Sequence, residues 1–391
     1  MEDLGSPSGL RPLGAEDWRS FRLQFPVTEE LTYLNHAAVS PLPLRAIGNV
    51  ARYLDELSRR GAASYPAFPF RIIDRARELA ALLINTAPER IFIVRSTTQG
   101  IGIAATGIPM RPGDNVVLVE REFPANIRPW LPLRRRGVEV RMVPQREGRV
   151  LLDDLAAAAD DRTAAISVSF VQFLSGFRVD VGAVSEICRR HDALCVVDAI
   201  QGLGAFPLDV EALGVDFLSA DAHKWLLGPE GVGIGYAAPR ALERIEPVLE
   251  GWFGAEEPFD FFNVEQPLKQ TAARYEEGAY NVAGLHGMVG SLEVILEAGV
   301  ERIARRILTL TDRLCEGLRR IGWSVQSPRE VEDERSGIVL CGREGADAQA
   351  LRARLERERI VVSVRGGGLR IAPHGYNTPE EIDRIVEVLG E

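Results

Sequence analysis

The sequence has 391 residues and a mass of 43.0 kDa, which is long for one hydrophobic core, so a large and a smaller domain are expected. Hydrophobic residues make up 46% and charged residues 26%, a composition typical of a folded globular protein. The formal net charge of -10 argues against a general nucleic-acid surface and against an acidic-membrane surface. We therefore expect neither nucleic acid nor membrane as a partner.

The cysteine and histidine patterns argue against a metal site. The four cysteines, Cys188, Cys195, Cys315 and Cys341, lack Cys-x-x-Cys spacing, and the five histidines form no His-Glu-x-x-His motif. The N-terminal residues MEDLGSPSGL contain no apolar core of a signal peptide, and no apolar stretch approaches the roughly 20 residues that span a bilayer. A reducing, cytoplasmic location is the prediction.

The elements of the first two thirds of the chain alternate between strand and helix. Residues 1–30 are interpreted as an N-terminal arm that packs with the small domain, with Trp18, Phe21 and Phe25 as its anchors. Short apolar runs predict strands at 91–94, 115–119, 138–143, 164–171, 193–197, 216–220 and 231–237, and helices at 97–107, 124–135, 151–159 and 180–192. This order predicts an α/β large domain, residues 31–255, with a mainly parallel seven-stranded sheet flanked by helices.

After residue 255 the pattern changes to a smaller α+β C-terminal domain, residues 256–391. Helices are predicted at 284–298, 300–321 and 347–358, and strands at 337–340, 360–364 and 369–373. A final helix is predicted from Thr378, because Thr-Pro-Glu-Glu is a helix start signal.

Polar residues follow several of the predicted strands, at the sheet edge where ligands bind in open α/β folds. Ser96, Thr97 and Thr98 open a helix, where hydroxyls and free N–H groups form a phosphate cradle, although an ordinary helix cap explains them equally well. Asp198 ends another strand, with Gln201 three residues later. A buried carboxylate there needs a partner, such as a protonated heterocyclic nitrogen, unless it only caps the next turn.

Two further residues complete a chemical set. Phe123 follows the strand 115–119, where its ring could stack on a planar cofactor or belong to the core. Lys224 follows the strand 216–220, and an amine becomes nucleophilic when burial or a neighbouring cation lowers its pKa. A phosphate cradle, a stacking ring, an acid for a pyridine nitrogen and an amine for an aldehyde match the needs of pyridoxal 5'-phosphate.

In this order and at these spacings the residues resemble the class V aminotransferase family, which includes cysteine desulfurases, selenocysteine lyases, isopenicillin N epimerase and kynureninase-like enzymes. The likeness runs from about Tyr33 to the C-terminus. It is specific at D-x-x-Q (198–201), HKW-x-x-GPEG (223–231) and GGLRIAPHGYNT (367–378). It implies the PLP-dependent transferase fold type I and pyridoxal 5'-phosphate as cofactor.

The resemblance implies a role for each residue around the cofactor ring. Lys224 would form the Schiff base, Asp198 would pair with the pyridine nitrogen, and Gln201 would donate to the ring 3-hydroxyl. Phe123 stands where the desulfurases usually carry a stacking histidine, so the stack here would be apolar.

The cofactor phosphate would be held by Thr97, Thr98 and His223. Asp221 occupies the place of a phosphate-binding serine in the desulfurases. A second negative charge there would repel the phosphate unless His223 or a water lies between, so the role of Asp221 stays open.

The loop YEEGAYN (275–281) matches a family loop that reaches the phosphate of the neighbouring subunit, which implies a homodimer with shared active sites. Ala279 replaces a hydroxyl residue of the desulfurases in this loop. Backbone N–H groups and Asn281 remain as candidate donors to the cofactor.

On the substrate side, Arg370 matches the family arginine that binds the substrate carboxylate as a bidentate pair. The segment 33–41 matches one that lines the substrate side of the cofactor, so Asn35 and His36 are candidate substrate contacts. Gln172, at the end of the strand 164–171, is a candidate contact to the 3-hydroxyl or to substrate.

One feature of the desulfurases is absent. They place a persulfide-forming cysteine on a loop shortly before the carboxylate-binding arginine, whereas only four residues, 366–369, separate Arg365 from Arg370 here. Cys341 lies too far upstream, so a persulfide relay is not expected. GVGIG (231–235) runs into a strand instead of opening a helix and is not a dinucleotide fingerprint.

The predicted function is that of a PLP-dependent aminotransferase acting on an amino acid through Lys224, with a keto acid as the second small molecule. A cysteine-independent C–S lyase and an amino-acid epimerase use the same residues and stay open. Outside this class, a catalytically silent PLP-fold binding subunit and a nucleotide-binding α/β protein are the alternatives.

Overall fold

A computed structural model of the chain describes residues 10–14, 17–64 and 70–391, so part of the predicted arm, residues 1–9 and 15–16, lies outside the described residues. Its α-helices are α1 (Trp18–Arg22), α2 (Leu44–Arg60), α3 (Phe70–Ile84), α4 (Thr97–Gly107), α5 (Pro124–Ile127), α6 (Leu152–Ala158), α7 (Val181–Arg190), α8 (Pro239–Arg244), α9 (Val282–Ala298), α10 (Val300–Arg320), α11 (Ala348–Arg357) and α12 (Pro379–Gly390). Its strands are β1 (Thr32–Tyr33), β2 (Ile91–Val94), β3 (Asn115–Val119), β4 (Glu139–Val143), β5 (Gln145–Arg146), β6 (Arg149–Val150), β7 (Thr163–Ser169), β8 (Leu194–Asp198), β9 (Phe217–Asp221), β10 (Gly233–Ala237), β11 (Ser324–Val325), β12 (Val339–Gly342), β13 (Ile360–Val361), β14 (Ser363–Arg365) and β15 (Gly368–Ile371).

The central sheet has seven strands in the order β2-β10-β9-β8-β7-β3-β4. β10 is antiparallel to both of its neighbours, and the other neighbouring strands are parallel. Every position of β3, β8, β9 and β10 is buried, as expected of strands covered on both faces. The predicted α/β class and mainly parallel seven-stranded sheet are confirmed, with strand ends within two residues of the predicted ones.

The helix predicted at 124–135 is wrong. α5 ends at Ile127, and a 3₁₀ helix covers Leu131–Arg136. Pro129 explains the break, because a proline has no N–H to donate and its ring clashes with the carbonyl four residues earlier. The prediction also missed α2 and α3, which pack on α9 beside the sheet.

A second sheet, in the order β11-β12-β15-β14, is antiparallel throughout. The N-terminal segment lies beside it: β1 pairs with β13 in a separate two-stranded sheet, and Asn35 bridges to Ala372, the residue after β15. α10 and α12 cover this sheet with an apolar cluster that includes Leu314 and Ile385. The predicted start of α12 is confirmed by a capping box between Thr378 and Glu381.

The described part of the arm lies against residues 374–381. Phe25 stacks on Tyr376 with ring centroids 4.2 Å apart, and Arg22 forms an ion pair with Glu381 at 2.9 Å. The domain limits at residues 30 and 255 stay predictions. Within the residues that the structure describes, no helix is both long and apolar enough to cross a membrane. The cytoplasmic location also stays a prediction.

β14 and β15 form a tight hairpin whose two turn residues, Gly366 and Gly367, have φ values of 57° and 82°. Two positive φ angles in a two-residue loop are the requirement of a type I′ turn, which only glycine meets without strain. The turn fixes a register in which Ser363 stands opposite Arg370 and Arg365 opposite Gly368.

We expect Gly367→Ala to lower the free energy of unfolding by about 1–2 kcal/mol, because a Cβ is disfavoured in the left-handed region even though no atom lies within 4 Å of it. Gly48→Ala is the matched control. Gly48 lies in α2 with open space around its Cβ, and alanine in a helix is better by about 0.5–1 kcal/mol. The urea concentration at the midpoint of unfolding should therefore fall for Gly367→Ala and rise for Gly48→Ala. A shift in the same direction for both variants would contradict the turn assignment.

Candidate active site

A cavity of about 320 Å³ lies at the carboxyl edge of the central sheet, a volume within the range of small-molecule sites. Its walls come from the segments that follow β2, β3, β7, β8 and β9, together with the β14–β15 hairpin. Eight of the predicted site residues line it: Thr97, Thr98, Phe123, Gln201, Asp221, His223, Lys224 and Arg370. The fold thus brings together residues that lie up to 273 positions apart in the sequence, from Thr97 to Arg370.

Lys224 is buried, with 7% of its surface exposed, three residues after the end of β9. Burial lowers the pKa of its amine to about 8, the negative charge of Asp198 acts in the opposite direction, and the positive charge of Arg370 lowers it further. The Nζ atom lies 5.2 Å from the centre of the Phe123 ring. With a pKa of about 8, about a tenth of the amine is neutral and nucleophilic at pH 7, far more than for an ordinary lysine.

Asp198 ends β8 and is 1% exposed. Its Oδ1 accepts a hydrogen bond from the N–H of Ile200 at 3.0 Å. Burial raises the pKa of this carboxyl to about 7, with repulsion from Glu122 in the same direction and attraction to Lys224 in the opposite one. Such a group would favour a cationic or proton-sharing partner, as the sequence prediction proposed.

Gln201 links the cavity wall to the rest of the fold. Its Nε2 donates to the carbonyl of Ala37 at 3.0 Å, and its Oε1 accepts from the indole N–H of Trp225 at 3.0 Å. Trp225 is fully buried next to Lys224 in the chain. One N–H of the Gln201 amide remains for a ligand.

Glu122 is a buried acid that the sequence prediction missed. Its carboxylate accepts from the backbone N–H of Ser169 at 2.8 Å, from the Ser169 hydroxyl and from Nε2 of Gln172 at 2.8 Å, and burial raises its pKa. Gln172 in turn accepts from Gln145 at 2.8 Å, so its side chain binds inside the protein and does not line the cavity. No sequence pattern distinguishes Glu122 from the neighbouring charged residues, so the fold alone identifies it.

The N-terminus of α4 forms one end of the cavity. Ser96 caps the helix by accepting from the N–H of Gln99 at 3.2 Å, and Oγ1 of Thr97 accepts from the N–H of Asp221 at 3.0 Å. Both hydroxyls keep a proton that can be donated. The first N–H groups of a helix have no partner within the helix, so this end suits an anion.

His223 and Asp221 lie beside this anion-binding end. Nδ1 of His223 is 3.2 Å from Oδ1 of Asp221, an ion-pair separation when the ring is protonated, but neither atom makes an aligned hydrogen bond among the described residues. A protonated His223 would offset the carboxylate charge next to a bound phosphate.

Arg370 lines the cavity from the β14–β15 hairpin and is 2% exposed. Its Nη1 donates to the carbonyl of Phe173 at 2.9 Å and its Nε to Oγ of Ser363 at 3.3 Å. Burial lowers its pKa to about 10, and the charge of Arg365 adds to this effect. Among the described residues Arg370 has no acidic partner, and a buried unpaired cation is costly, so the site suits a carboxylate.

Five of the thirteen predicted site residues do not line the cavity: Asp198 and Gln172, described above, and Asn281, His36 and Asn35. Asn281 caps α9 through the N–H of Gly284 at 2.9 Å and donates to the carbonyl of Gly231. His36 lies buried between the carbonyl of Ala372 and the hydroxyl of Tyr376, at 2.8 and 2.7 Å, and burial lowers its pKa to about 4. Asn35 pairs with Ala372, and the following residues 37 and 38 form the wall instead. Roles for Asn281, His36 and Asn35 stay predictions.

All four cysteines are buried, and none lines the cavity. Burial raises the pKa of Cys341, the one closest in sequence to Arg370, well above its usual value. A thiol of this kind is neither exposed nor ionised at neutral pH.

Comparison with known proteins identifies the family of this chain. The family model described as aminotransferase class V matches residues 32–385. The chain is 31% identical over 398 residues to a probable cysteine desulfurase of Methanothermobacter thermautotrophicus, covering 95% of this chain and 96% of the relative. It is 26% identical to an uncharacterized aminotransferase of Bacillus subtilis, YcbU, covering 94% and 96%.

Solved structures share the fold. An apo cysteine desulfurase of Thermococcus onnurineus superposes with a TM-score of 0.87 at 24% identity, covering 97% of this chain and 98% of that one. The cystine C–S lyase C-DES, in complex with cysteine persulfide, superposes with a TM-score of 0.87 at 23% identity, covering 94% and 99%. The chain belongs to the class V aminotransferase family of fold type I, whose cofactor is pyridoxal 5'-phosphate.

The electrostatics of Lys224 predict how cofactor uptake depends on pH. The neutral amine attacks the aldehyde, so uptake by the apoprotein should rise with pH through a midpoint near 8. Arg370→Gln removes a cation that lowers the pKa of Lys224, so the midpoint should move to higher pH. Arg319→Gln, an exposed arginine in the last turn of α10, makes the same charge change outside the cavity and should leave it in place. Stopped-flow absorbance measures the rate of cofactor uptake at each pH. An unshifted pH midpoint for Arg370→Gln would contradict the effect of the Arg370 charge on the pKa of Lys224.

Proposed function

We propose that the chain is a pyridoxal 5'-phosphate-dependent aminotransferase acting on an amino acid, and that Lys224 is the residue that holds the cofactor. One observation carries the proposal. The buried amine of Lys224 and the unpaired guanidinium of Arg370 line one cavity. The buried acid Asp198 lies near them, and the charges of Asp198 and Arg370 both change the pKa of the amine.

The residues present fit this cofactor. Lys224 offers the amine for the aldehyde, Asp198 offers a carboxyl with a pKa of about 7 for the ring nitrogen, and the N-terminus of α4 with Thr97 offers donors for the phosphate. When bound, pyridoxal 5'-phosphate supplies an aldehyde that condenses with amines and a ring that withdraws electrons from the substrate Cα.

The chain's own residues position the substrate and move its proton. Arg370 binds the α-carboxylate, because its Phe173 and Ser363 contacts fix the direction in which the guanidinium points. The neutral Lys224 amine accepts the Cα proton, and a pKa of about 8 lets it release that proton again near neutral pH. Phe123 lies against the same space and limits the approach of water from its side.

The absence of a thiol from the cavity wall favours transamination over a persulfide relay. The four cysteines are buried elsewhere, and the turn before Arg370 consists of only two residues. This arrangement supports a reaction in which no cysteine of the described chain accepts sulfur from the substrate.

The half-reaction tests the proposal. Holoenzyme is mixed with single amino acids in the absence of keto acid, and cofactor absorbance and products are followed. We expect one keto acid per site, with the cofactor left in its amine form. Lys224→Ala should lower the rate by about 10²–10⁴-fold or more, because the proton acceptor is lost. Lys269→Ala is the matched control, since Lys224 and Lys269 are the only lysines in the sequence.

A second candidate, a C–S lyase, is favoured by the 31% identity to a probable cysteine desulfurase over 95% of the chain. In the same experiment with L-cysteine or L-cystine, a lyase would release sulfur species over many turnovers while the cofactor absorbance persists. That outcome would replace the aminotransferase proposal. Failure of every amino acid to change the cofactor absorbance would contradict both proposals.

We further propose a homodimer with shared active sites. The segment 248–264 carries exposed apolar side chains, among them Phe262, which is 97% exposed, and Val264. The neighbouring loop 276–281 forms a shallow pocket with Arg95 and Gln99 at the chain surface. A surface this apolar is typical of a protein interface.

Phe262→Glu should weaken the dimer, because a charge buried at an apolar interface is costly. Val331→Glu is the control, since Val331 is an exposed apolar residue outside this segment. Light scattering across a concentration series gives the dissociation constant, which we expect to rise at least tenfold for Phe262→Glu alone. A monomeric parent protein, or equal effects of the two variants, would exclude this interface.

A further inference from the structure

Arg365 is a cavity residue to which the sequence prediction assigned no role. Its side chain lines the same cavity as Lys224 and Arg370. In the β14–β15 register Arg365 stands opposite Gly368, and Ser363 stands opposite Arg370. Directly opposed residues of antiparallel strands project from the same face of the sheet. Arg365 and Arg370 therefore lie on the face toward the cavity as diagonal neighbours. The Cα atoms of such neighbours are about 7–8 Å apart.

The hairpin holds Arg365 in this place. The two-residue turn at Gly366 and Gly367 permits no slippage of register, because a shift would turn alternate side chains to the other face. The turn packs against Leu174, whose Cδ1 lies 3.0 Å from where a Cβ of Gly366 would stand. A Cβ at Gly368 would stand 2.6 Å from the carbonyl oxygen of Cys341, so the close approach of β12 requires glycine opposite Arg365.

The charges at this end of the cavity are unbalanced. Among the described residues neither Arg365 nor Arg370 forms an ion pair, although the chain has a net charge of -10 and many of its other arginines do, such as Arg149 with Glu334. The Arg365 side chain makes one hydrogen bond, from Nη1 to the carbonyl of Val364 at 2.8 Å. Burial lowers the pKa of Arg370 and the Arg365 charge adds to this effect, as expected for two like charges on one face of the hairpin. An anion placed between them would relieve their repulsion.

We propose that Arg365 and Arg370 bind the two carboxylates of one substrate, so that the enzyme prefers an amino acid whose side chain ends in a carboxylate. This inference rests on the proposed function, in which Arg370 takes the α-carboxylate. Arg370 suits that role because it is buried and held by two hydrogen bonds. Arg365 is exposed at the cavity rim and takes the distal carboxylate. An amide of the same shape has no charge for Arg365 to pair with.

Matched acid and amide substrates test the preference. Holoenzyme is mixed with L-aspartate or L-asparagine, and with L-glutamate or L-glutamine, and the rate of cofactor absorbance change is measured against concentration. S-carboxymethyl-L-cysteine and its carbamoylmethyl analogue form the same pair for a lyase. We expect the acid of at least one pair to be favoured about 10- to 100-fold, the size of one charge-assisted hydrogen-bond pair.

Variants assign the preference to Arg365. Arg365→Gln should bring the acid-to-amide ratio close to one, and Arg365→Lys should keep part of it, because the charge remains while the two-pronged geometry is lost. Arg319→Gln should keep the full ratio. A preference that survives in Arg365→Gln would overturn the proposal.

An equilibrium measurement separates this inference from the proposed function. Calorimetry compares binding of succinate, with two carboxylates, and succinamate, with one, to the holoenzyme and to Arg365→Gln. Tighter binding of succinate that is lost in Arg365→Gln supports the subsite even if no amino acid reacts. Equal binding of succinate and succinamate, or no binding of either, overturns the subsite. If the enzyme still turns over amino acids, the proposed function stands even though the subsite does not.

Discussion

The burial of two opposite charges at one edge of the parallel sheet is the constraint on which the site depends. β8 and β9 are parallel neighbours with Asp198 paired to Ser219, so the strand-end acid and the loop that carries Lys224 come together at the carboxyl edge. Alone, either group would be too costly to bury in its charged form. Together they have pKa values of about 7 and about 8, so both can exchange a proton near neutral pH at little cost.

A chain of hydrogen bonds keeps the lysine segment in this position. The indole of Trp225 donates to Gln201, and Gln201 donates to the carbonyl of Ala37. The N–H of Ser40 donates to the carbonyl of His223, which joins the N-terminal segment to the residue before Lys224. Each bond connects segments that lie far apart in sequence, so the lysine is oriented by the tertiary fold and not by its own loop.

The sequence predicted the central strands because strands buried on both faces are nearly continuous apolar runs, and it predicted the main site residues because parallel strands deliver their end residues to one edge. It failed where one residue overrides a pattern, as Pro129 does in the helix predicted at 124–135. The sequence did carry a signal for α2, because its apolar residues recur at helical spacing: Leu44, Ile47, Val50, Leu54 and Leu57. Glu122 and Arg365 are single charged residues that belong to no sequence pattern. Only the hydrogen bonds of Glu122 and the strand register of Arg365 reveal what their side chains face.

The short turn between β14 and β15 bears on both the missing cysteine loop and the pair of arginines in the cavity. A desulfurase needs room before its carboxylate-binding arginine for a loop that carries a cysteine, and two glycines leave no such room. The same two residues fix a register that puts Arg365 diagonally beside Arg370 on the cavity face. One feature of the backbone therefore supports both proposals, namely a reaction that passes no sulfur to a cysteine of the chain and a substrate site with two cations for two carboxylates.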